Sequence, residues 1–138
     1  MKALEEKILK EGQVLPGNVL KVGSFLNQQV DAVFLKEMAK ETRRLFANER
    51  ITKVLTVEAS GIAFATAVAM ELGVPMVFAK KHPSANVSGE QYSAAVYSYT
   101  HKQTYNVAVT KDYLSSADRV LITDDFLAGG NALKGLID

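Results

Sequence analysis

The stretch Val120–Ala132, VLITDDFLAGGNA, decides how this chain is read. Arg119 to Thr123 is an apolar, β-branched run that predicts a buried strand. That strand delivers two adjacent carboxylates, Asp124 and Asp125, to its C-terminal end, where open α/β sheets bind their ligands. Ala128, Gly129, Gly130 and Ala132 then form a turn of small residues ahead of a helix. Without bulky side chains in the way, backbone N–H groups approach a phosphate closely, and the helix N-terminus adds a favourable dipole. Carboxylates beside such a cradle would repel the phosphate it holds, so they should face something else. The hydroxyls of a sugar attached to that phosphate fit, as does Mg²⁺. An isolated Asp-Asp or Gly-Gly pair is an ordinary cap or turn. Together, the strand, carboxylates, small loop and helix point to a ribose 5-phosphate group.

Upstream, Ile51–Val57 (ITKVLTV) is a second buried strand, followed by Glu58-Ala59-Ser60-Gly61 as a turn. Ile62–Leu72 predicts an Ala-rich helix stopped by Gly73, and Val74–Ala79 a further strand. Strand, tight turn, helix, Gly, strand is a βαβ unit, with parallel strands and a right-handed crossover. The turn at 58–61 is a second anion-ready loop at the same sheet edge. Ser60 offers a hydroxyl, and Gly61 offers freedom of backbone angle. Many βα turns contain Ser-Gly, so this loop gains meaning only beside the first one. The pair then suits a ligand with two separated phosphate groups. Lys80 and Lys81 at the end of the next strand are candidate cations for the more highly charged group.

Elsewhere the chain supplies scaffold. Ala3–Glu11 predicts a short helix closed by Gly12, and residues 13–30 an irregular segment with short extended pieces. Asp31 is placed to cap a helix running to about Ala47, with Phe34, Met38 and Leu45 on one core stripe and Leu35, Ala39 and Phe46 beside it. Lys80–Glu90 reads as a loop. Gln91–Tyr99 and Tyr105–Thr110 around the polar THKQ read as a hairpin arm, packed by Tyr92, Tyr97, Tyr99 and Tyr105. His82 and His101 have no metal-ligand spacing.

Composition bounds the function. The 138 residues fit one domain, and 16 Lys+Arg against 15 Asp+Glu exclude a strongly basic nucleic-acid binder. The absence of Cys removes disulfides, thiolate nucleophiles and Cys-based metal sites. No apolar run approaches the roughly 20 residues of a membrane span, and the charged N-terminus is unlike a secretory signal. The expectation is a soluble, cytoplasmic domain with neither nucleic acid nor membrane as partner.

At VLITDDFLAGGNA the sequence resembles the phosphoribosyl-diphosphate (PRPP) motif of the type I phosphoribosyltransferases. More narrowly, the whole chain resembles the bacterial xanthine phosphoribosyltransferases. The shared pieces are LPGNVLKVGSFLNQQVD, ITKVLTVEASGIA, LGVPMVFAKKH, AAVYSYT and DDFLAGGNA, in the family's order. The resemblance implies a doubly wound parallel α/β sheet as a single domain over residues 1–138, with a small hood formed partly by residues 1–30, and a homodimer. It implies transfer of phosphoribose from PRPP to N9 of xanthine, giving xanthosine 5′-monophosphate and pyrophosphate for purine salvage. By the same resemblance, Ala128, Gly129, Gly130, Asn131 and Ala132 would hold the 5′-phosphate, with Asp124 and Asp125 near the ribose hydroxyls. Glu58, Ala59, Ser60 and Gly61, with Lys80 and Lys81, would face pyrophosphate, Lys81 in one version from the partner subunit. Leu20 and Asn27 match positions that contact xanthine. Mg²⁺ would be bound mainly through PRPP and pyrophosphate.

The sequence departs from the family at Gly129, where Asn is frequent, at Lys80, where Arg is frequent, and at Phe64, where Pro is common. The family also continues past the helix begun at Asn131, with further strands and a base-reading Lys, so the expectation is a C-terminally incomplete chain. Alternatives to xanthine are hypoxanthine/guanine, adenine or orotate as acceptor. Another class is a non-catalytic PRPP- or nucleotide-sensing regulator on the same fold. An inactive or dimer-forming remnant is a third.

Overall fold

The computed structural model describes residues 1–17, 19–81, 89–98 and 103–138. Most of the Lys80–Glu90 loop, His82, Tyr99, His101 and the tip of the hairpin arm lie outside the described residues.

The centre is a three-stranded parallel sheet in the order β4-β3-β7, made of β3 (Lys53–Val57), β4 (Met76–Ala79) and β7 (Val120–Ile122). β3 pairs in register on both sides, Leu55 opposite Val77 and opposite Ile122. Because successive side chains alternate across a strand, β3 feeds two cores. Val54 joins Ala65, Val68 and Ala69 of helix α3 (Gly61–Leu72), together with Ala39 of helix α2 (Ala32–Leu45) and Leu121. Leu55 and Val57 face the other way. They meet Ala79 and the apolar side of a hairpin, β5 (Gln91–Ser98) and β6 (Gln103–Thr110), with Leu136 of helix α4 (Asn131–Ile137) packed alongside. Both faces of the sheet are therefore covered, which is why its strands are short continuous apolar runs rather than alternating ones. This is the doubly wound arrangement that the resemblance implied, with the parallel pairing that the βαβ reading expected.

Each element follows from local chemistry. Asp31 caps α2 by accepting from the Phe34 N–H at 3.0 Å. Small residues on α3 let it lie close to β3, and Gly73 ends it in the left-handed region at φ 70°. Gly135 of α4 sits against Val96, where any side chain would collide with the Val96 methyl. β7 is tied to β3 through Asp118, whose carboxylate accepts from the Ser115 N–H and the Thr52 hydroxyl, each at 2.9 Å, and from Lys53 Nζ at 3.1 Å. These donors hold the Asp118 carboxyl down at about 2. The hairpin joins the sheet through Lys80, whose N–H and C=O both pair with Ala108 at 2.9 Å.

The N-terminal region is more regular than its sequence predicts. Helix α1 (Lys2–Glu11) leads into a hairpin of β1 (Gln13–Leu15) and β2 (Val19–Lys21), turning at Gly17 with φ 84°. A π-helical turn follows at Gly23–Asn27. Val22, Phe25 and Leu26 bury against Leu35 and Met38, with Leu4 and Ile8 alongside. One core expectation fails. Leu45 is 65% exposed, because it borders an open cavity between α1 and α2 instead of meeting a packed neighbour. Among the described residues, no helix is long and apolar enough to cross a membrane.

Candidate active site

The order β4-β3-β7 has a direct consequence. From β3 the chain crosses to one side to make β4, and later returns to the other side of β3 as β7. The loops after β3 and β7 thus diverge from the point where strand order reverses, which opens a crevice at the carboxyl ends. Those two loops are Glu58–Ser60 and Thr123–Gly130, the segments singled out from sequence.

A cavity of about 480 Å³ occupies this crevice. That is within the usual 300–1,000 Å³ of small-molecule sites. Its walls carry Glu58, Ser60, Lys81, Asp124, Asp125, Ala128, Gly129, Gly130, Asn131 and Ala132, with Asn27 at one side. Ten residues widely separated in sequence, plus one from the N-terminal segment, therefore share one concave surface. Gly130 has φ 74° and immediately precedes α4, so the small-residue loop needs glycine at that position.

The other predicted positions fall nearby but not on that wall. Lys80 is not among the lining residues. It and Lys81 are neighbours in extended chain, so their side chains diverge, and only Lys81 turns inward. Ala59 lines a smaller pocket with Leu26, Asn27, Gln28, Val30, Ser60 and Ala63, which makes Asn27 and Ser60 common to both. Leu20 lines a third cavity under α1, whose rim includes Asp124, Asp125 and Phe126. Gly61 is important for a different reason from the one its sequence context suggested. Its φ is not positive; instead a Cβ there would strike the Thr56 hydroxyl and come within 2.6 Å of Asp124 Oδ1. The site needs its missing side chain, not its freedom of angle.

The polar groups interlock. Ser60 Oγ donates to Asp125 Oδ1 at 2.9 Å, linking the two loops. The Asp125 N–H donates to Asp124 Oδ1 at 3.0 Å, and the Lys81 N–H to Glu58 Oε1 at 2.6 Å. Burial pushes the Asp124 carboxyl up to about 6, and the neighbouring Asp125 adds to the rise. Beneath Asp124, the hydroxyls of Thr56 and Thr123 are buried with no hydrogen-bond partner among the described residues. Tyr105, which the sequence assigns to hairpin packing, also borders the site. Its ring lies 5.1 Å from Lys81 Nζ, it lines the cavity, and burial raises its hydroxyl pKa. The signal was available in the alternation of β6, which points Tyr105, Val107 and Val109 to one face.

A strand-borne carboxylate pair, a small-residue loop at a helix start and a second loop across a topological switch point define a sugar-phosphate-handling α/β protein. The chain belongs to the phosphoribosyltransferase family, whose phosphoribosyl transferase domain matches residues 24–138. Within that family it is 55% identical to the xanthine phosphoribosyltransferase of Lachnoclostridium phytofermentans, over all of this chain and 71% of that one. It is likewise 55% identical to the xanthine phosphoribosyltransferase of Lactobacillus johnsonii, over all of this chain and 72% of the relative. Among solved structures, the APRTase from Giardia lamblia complexed with 9-deazaadenine superimposes with a TM-score of 0.79 at 24% identity, covering 96% of this chain and 73% of that one. At that identity the likeness establishes the type I phosphoribosyltransferase fold alone.

Proposed function

We propose that the protein is a xanthine phosphoribosyltransferase, moving the 5-phosphoribosyl group from PRPP to N9 of xanthine with release of pyrophosphate. The observation that carries the reading is the single crevice in which Asp124 and Asp125, the 128–132 loop and Glu58–Ser60 face one another. The choice of base rests on about 50% identity to xanthine phosphoribosyltransferases along the whole chain.

In this reading the backbone N–H groups of Ala128 to Ala132 hold the 5′-phosphate at the start of α4. Asp124 and Asp125 accept from the ribose 2′- and 3′-hydroxyls, and Ser60 keeps Asp125 oriented for that contact. Glu58, Ala59, Ser60 and Gly61 border the pyrophosphate, with the Lys81 ammonium as its counter-charge. Lys80 contributes through the backbone pairing that sets where Lys81 begins. Leu20 and Asn27 bring the N-terminal segment to the purine. Cleavage of the C1–pyrophosphate bond builds positive charge on the ribose, so these groups act by position and electrostatics, with no covalent nucleophile. The negative Asp124–Asp125 pair below the ring favours that charge.

Mg²⁺ would be held mainly through the oxygens of PRPP itself: Glu58, Asp124 and Asp125 border the cavity with hard oxygen donors, while among the described residues no group of three His, Asp or Glu is placed to hold a metal by itself. When bound, it neutralises charge on the departing pyrophosphate. We place the reaction in the cytoplasm, with the product xanthosine monophosphate, and we propose a homodimer. Apolar side chains left exposed on α2 and α3, Val33 and Met70, offer surface for such pairing.

A competition assay tests the base. With PRPP, Mg²⁺ and equal xanthine, hypoxanthine, guanine and adenine, the predicted principal product is xanthosine 5′-monophosphate. A different nucleotide as principal product would reassign the acceptor. No nucleotide at all, with specific DNA retardation instead, would favour the sensing regulator.

A further inference from the structure

The π-helical turn Gly23–Asn27 carries Leu26 and Asn27 to the cavity side of the N-terminal segment. A π-turn has poor intrinsic stability and persists where surrounding contacts hold it. Part of that support is backbone: Leu26 N–H to Val22 O at 3.1 Å, Gln29 N–H to Gly23 O at 2.8 Å, and Asp31 N–H to Phe25 O at 2.9 Å. The Gln29 side chain adds a bond to Ser24 O at 2.9 Å, and a further part converges on one side chain from another element. Lys7 of α1 is only 16% exposed, and its ammonium donates to Asp31 Oδ2 at 2.9 Å and to Glu11 Oε1 at 3.1 Å. The same ammonium stands 5.3 Å from the ring centre of Phe25 and 5.1 Å from that of Phe34. Those two rings meet edge to face at 6.2 Å, and Phe25 is buried inside the turn. Asp31 also caps α2 through its other oxygen. One cation therefore links α1, the π-turn and the N-terminus of α2.

We propose that Lys7 is a positioning residue for the base side of the site, holding the turn that bears Leu26 and Asn27 in place through Asp31, Phe25 and Phe34. The inference rests on the xanthine reading above. The phosphate-bearing side is built on β3, β7 and α4, whereas the hydrogen bonds and ring contacts of Lys7 among the described residues go to Glu11, Asp31, Phe25 and Phe34. Loss of this cation must then weaken the base interaction while sparing the PRPP interaction. A residue that merely stabilises the fold would lower the active fraction and leave both Michaelis constants where they were.

Steady-state kinetics separates the two. Lys7→Met keeps the aliphatic stem and removes the charge, and it should raise KM for xanthine about five- to tenfold. KM for PRPP and kcat should stay within about twofold, because positioning errors act on the group displaced. Lys7→Arg, which retains charge and ring contact, should recover most of the loss. An unchanged xanthine KM, or equal rises in both constants, overturns the proposal. If the unaltered protein forms no xanthosine monophosphate, it is the substrate reading that fails. Lys7 is then judged by hydrogen exchange across residues 22–31. Faster exchange in Lys7→Met than in Lys111→Met, which breaks the Glu90 pair and the Tyr92 ring contact on the hairpin, supports its holding role; equal exchange overturns it.

Discussion

Asp124 is the residue at which fold and chemistry meet. Its carboxyl is half buried beside Asp125, over the packed Thr56 and Gly61, and its pKa of about 6 stands above the ordinary value near 3.9. The sign of the stability effect follows from linkage. The folded state holds this proton more tightly than the unfolded chain, so the contribution is fully present below about pH 4 and is lost as pH rises through 6. Asp124→Asn removes the ionisation that costs stability. Its Tm should exceed that of the natural sequence at pH 8, and the gap should close by pH 4. A gap of constant size across that range in thermal melts would contradict the assigned environment. Sequence alone placed both aspartates in the crevice. It could not show that one is half buried and the other is oriented by Ser60, because that depends on how closely two loops 65 residues apart approach. Nor could it show that Gly61 is required for space, since the atoms it avoids come from Thr56 of β3 and from Asp124 in the loop after β7.

At the scale of elements, α4 and its loop are placed by contact with β5. Gly135 brings the helix backbone against Val96, which is 2% exposed and stiff at its branched Cβ. On propensity alone, Gly135→Ala should strengthen the helix by about 1 kcal/mol. The added methyl has no room, and overpacking of this kind costs about 1–3 kcal/mol. Packing should therefore offset or exceed propensity, and urea unfolding should show no gain in stability for the variant. A clear gain would mean that α4 is not seated on β5. The βα units were legible because apolar runs, a small turn and a terminating Gly recur in order. The N-terminal segment was less so. Residues 13–15 and 19–21 are too short to announce a hairpin, and the π-turn depends on Lys7 and the ring pair, which come from separate elements. The exposure of Leu45 has the same origin, since helical periodicity assigns a face but not the extent of the surface opposite it.

At the scale of the whole molecule, the sheet order β4-β3-β7 turns two modest loop motifs into one site. Neither loop identifies a ligand by itself. Their divergence from the switch point gives one crevice with a phosphate-ready loop, two carboxylates and Lys81 around about 480 Å³. The order of strands could not be read from any one segment, and the resemblance over five motifs implied only that the sheet is parallel and doubly wound. The base was the least legible part, because Leu20 lines a neighbouring cavity, Asn27 lies at the margin between two, and the chain spans 71–73% of the length of three curated relatives it matches. The most direct measurement is PRPP-dependent formation of xanthosine 5′-monophosphate from xanthine, comparing the natural sequence with Asp125→Asn. Nucleotide and pyrophosphate should appear in equal amounts. The variant, with its melt unchanged, should turn over more slowly by on the order of 10²–10³-fold, the usual cost of removing one preorganised electrostatic contact. Absence of product from the natural sequence, or near-normal turnover by Asp125→Asn, would contradict the account.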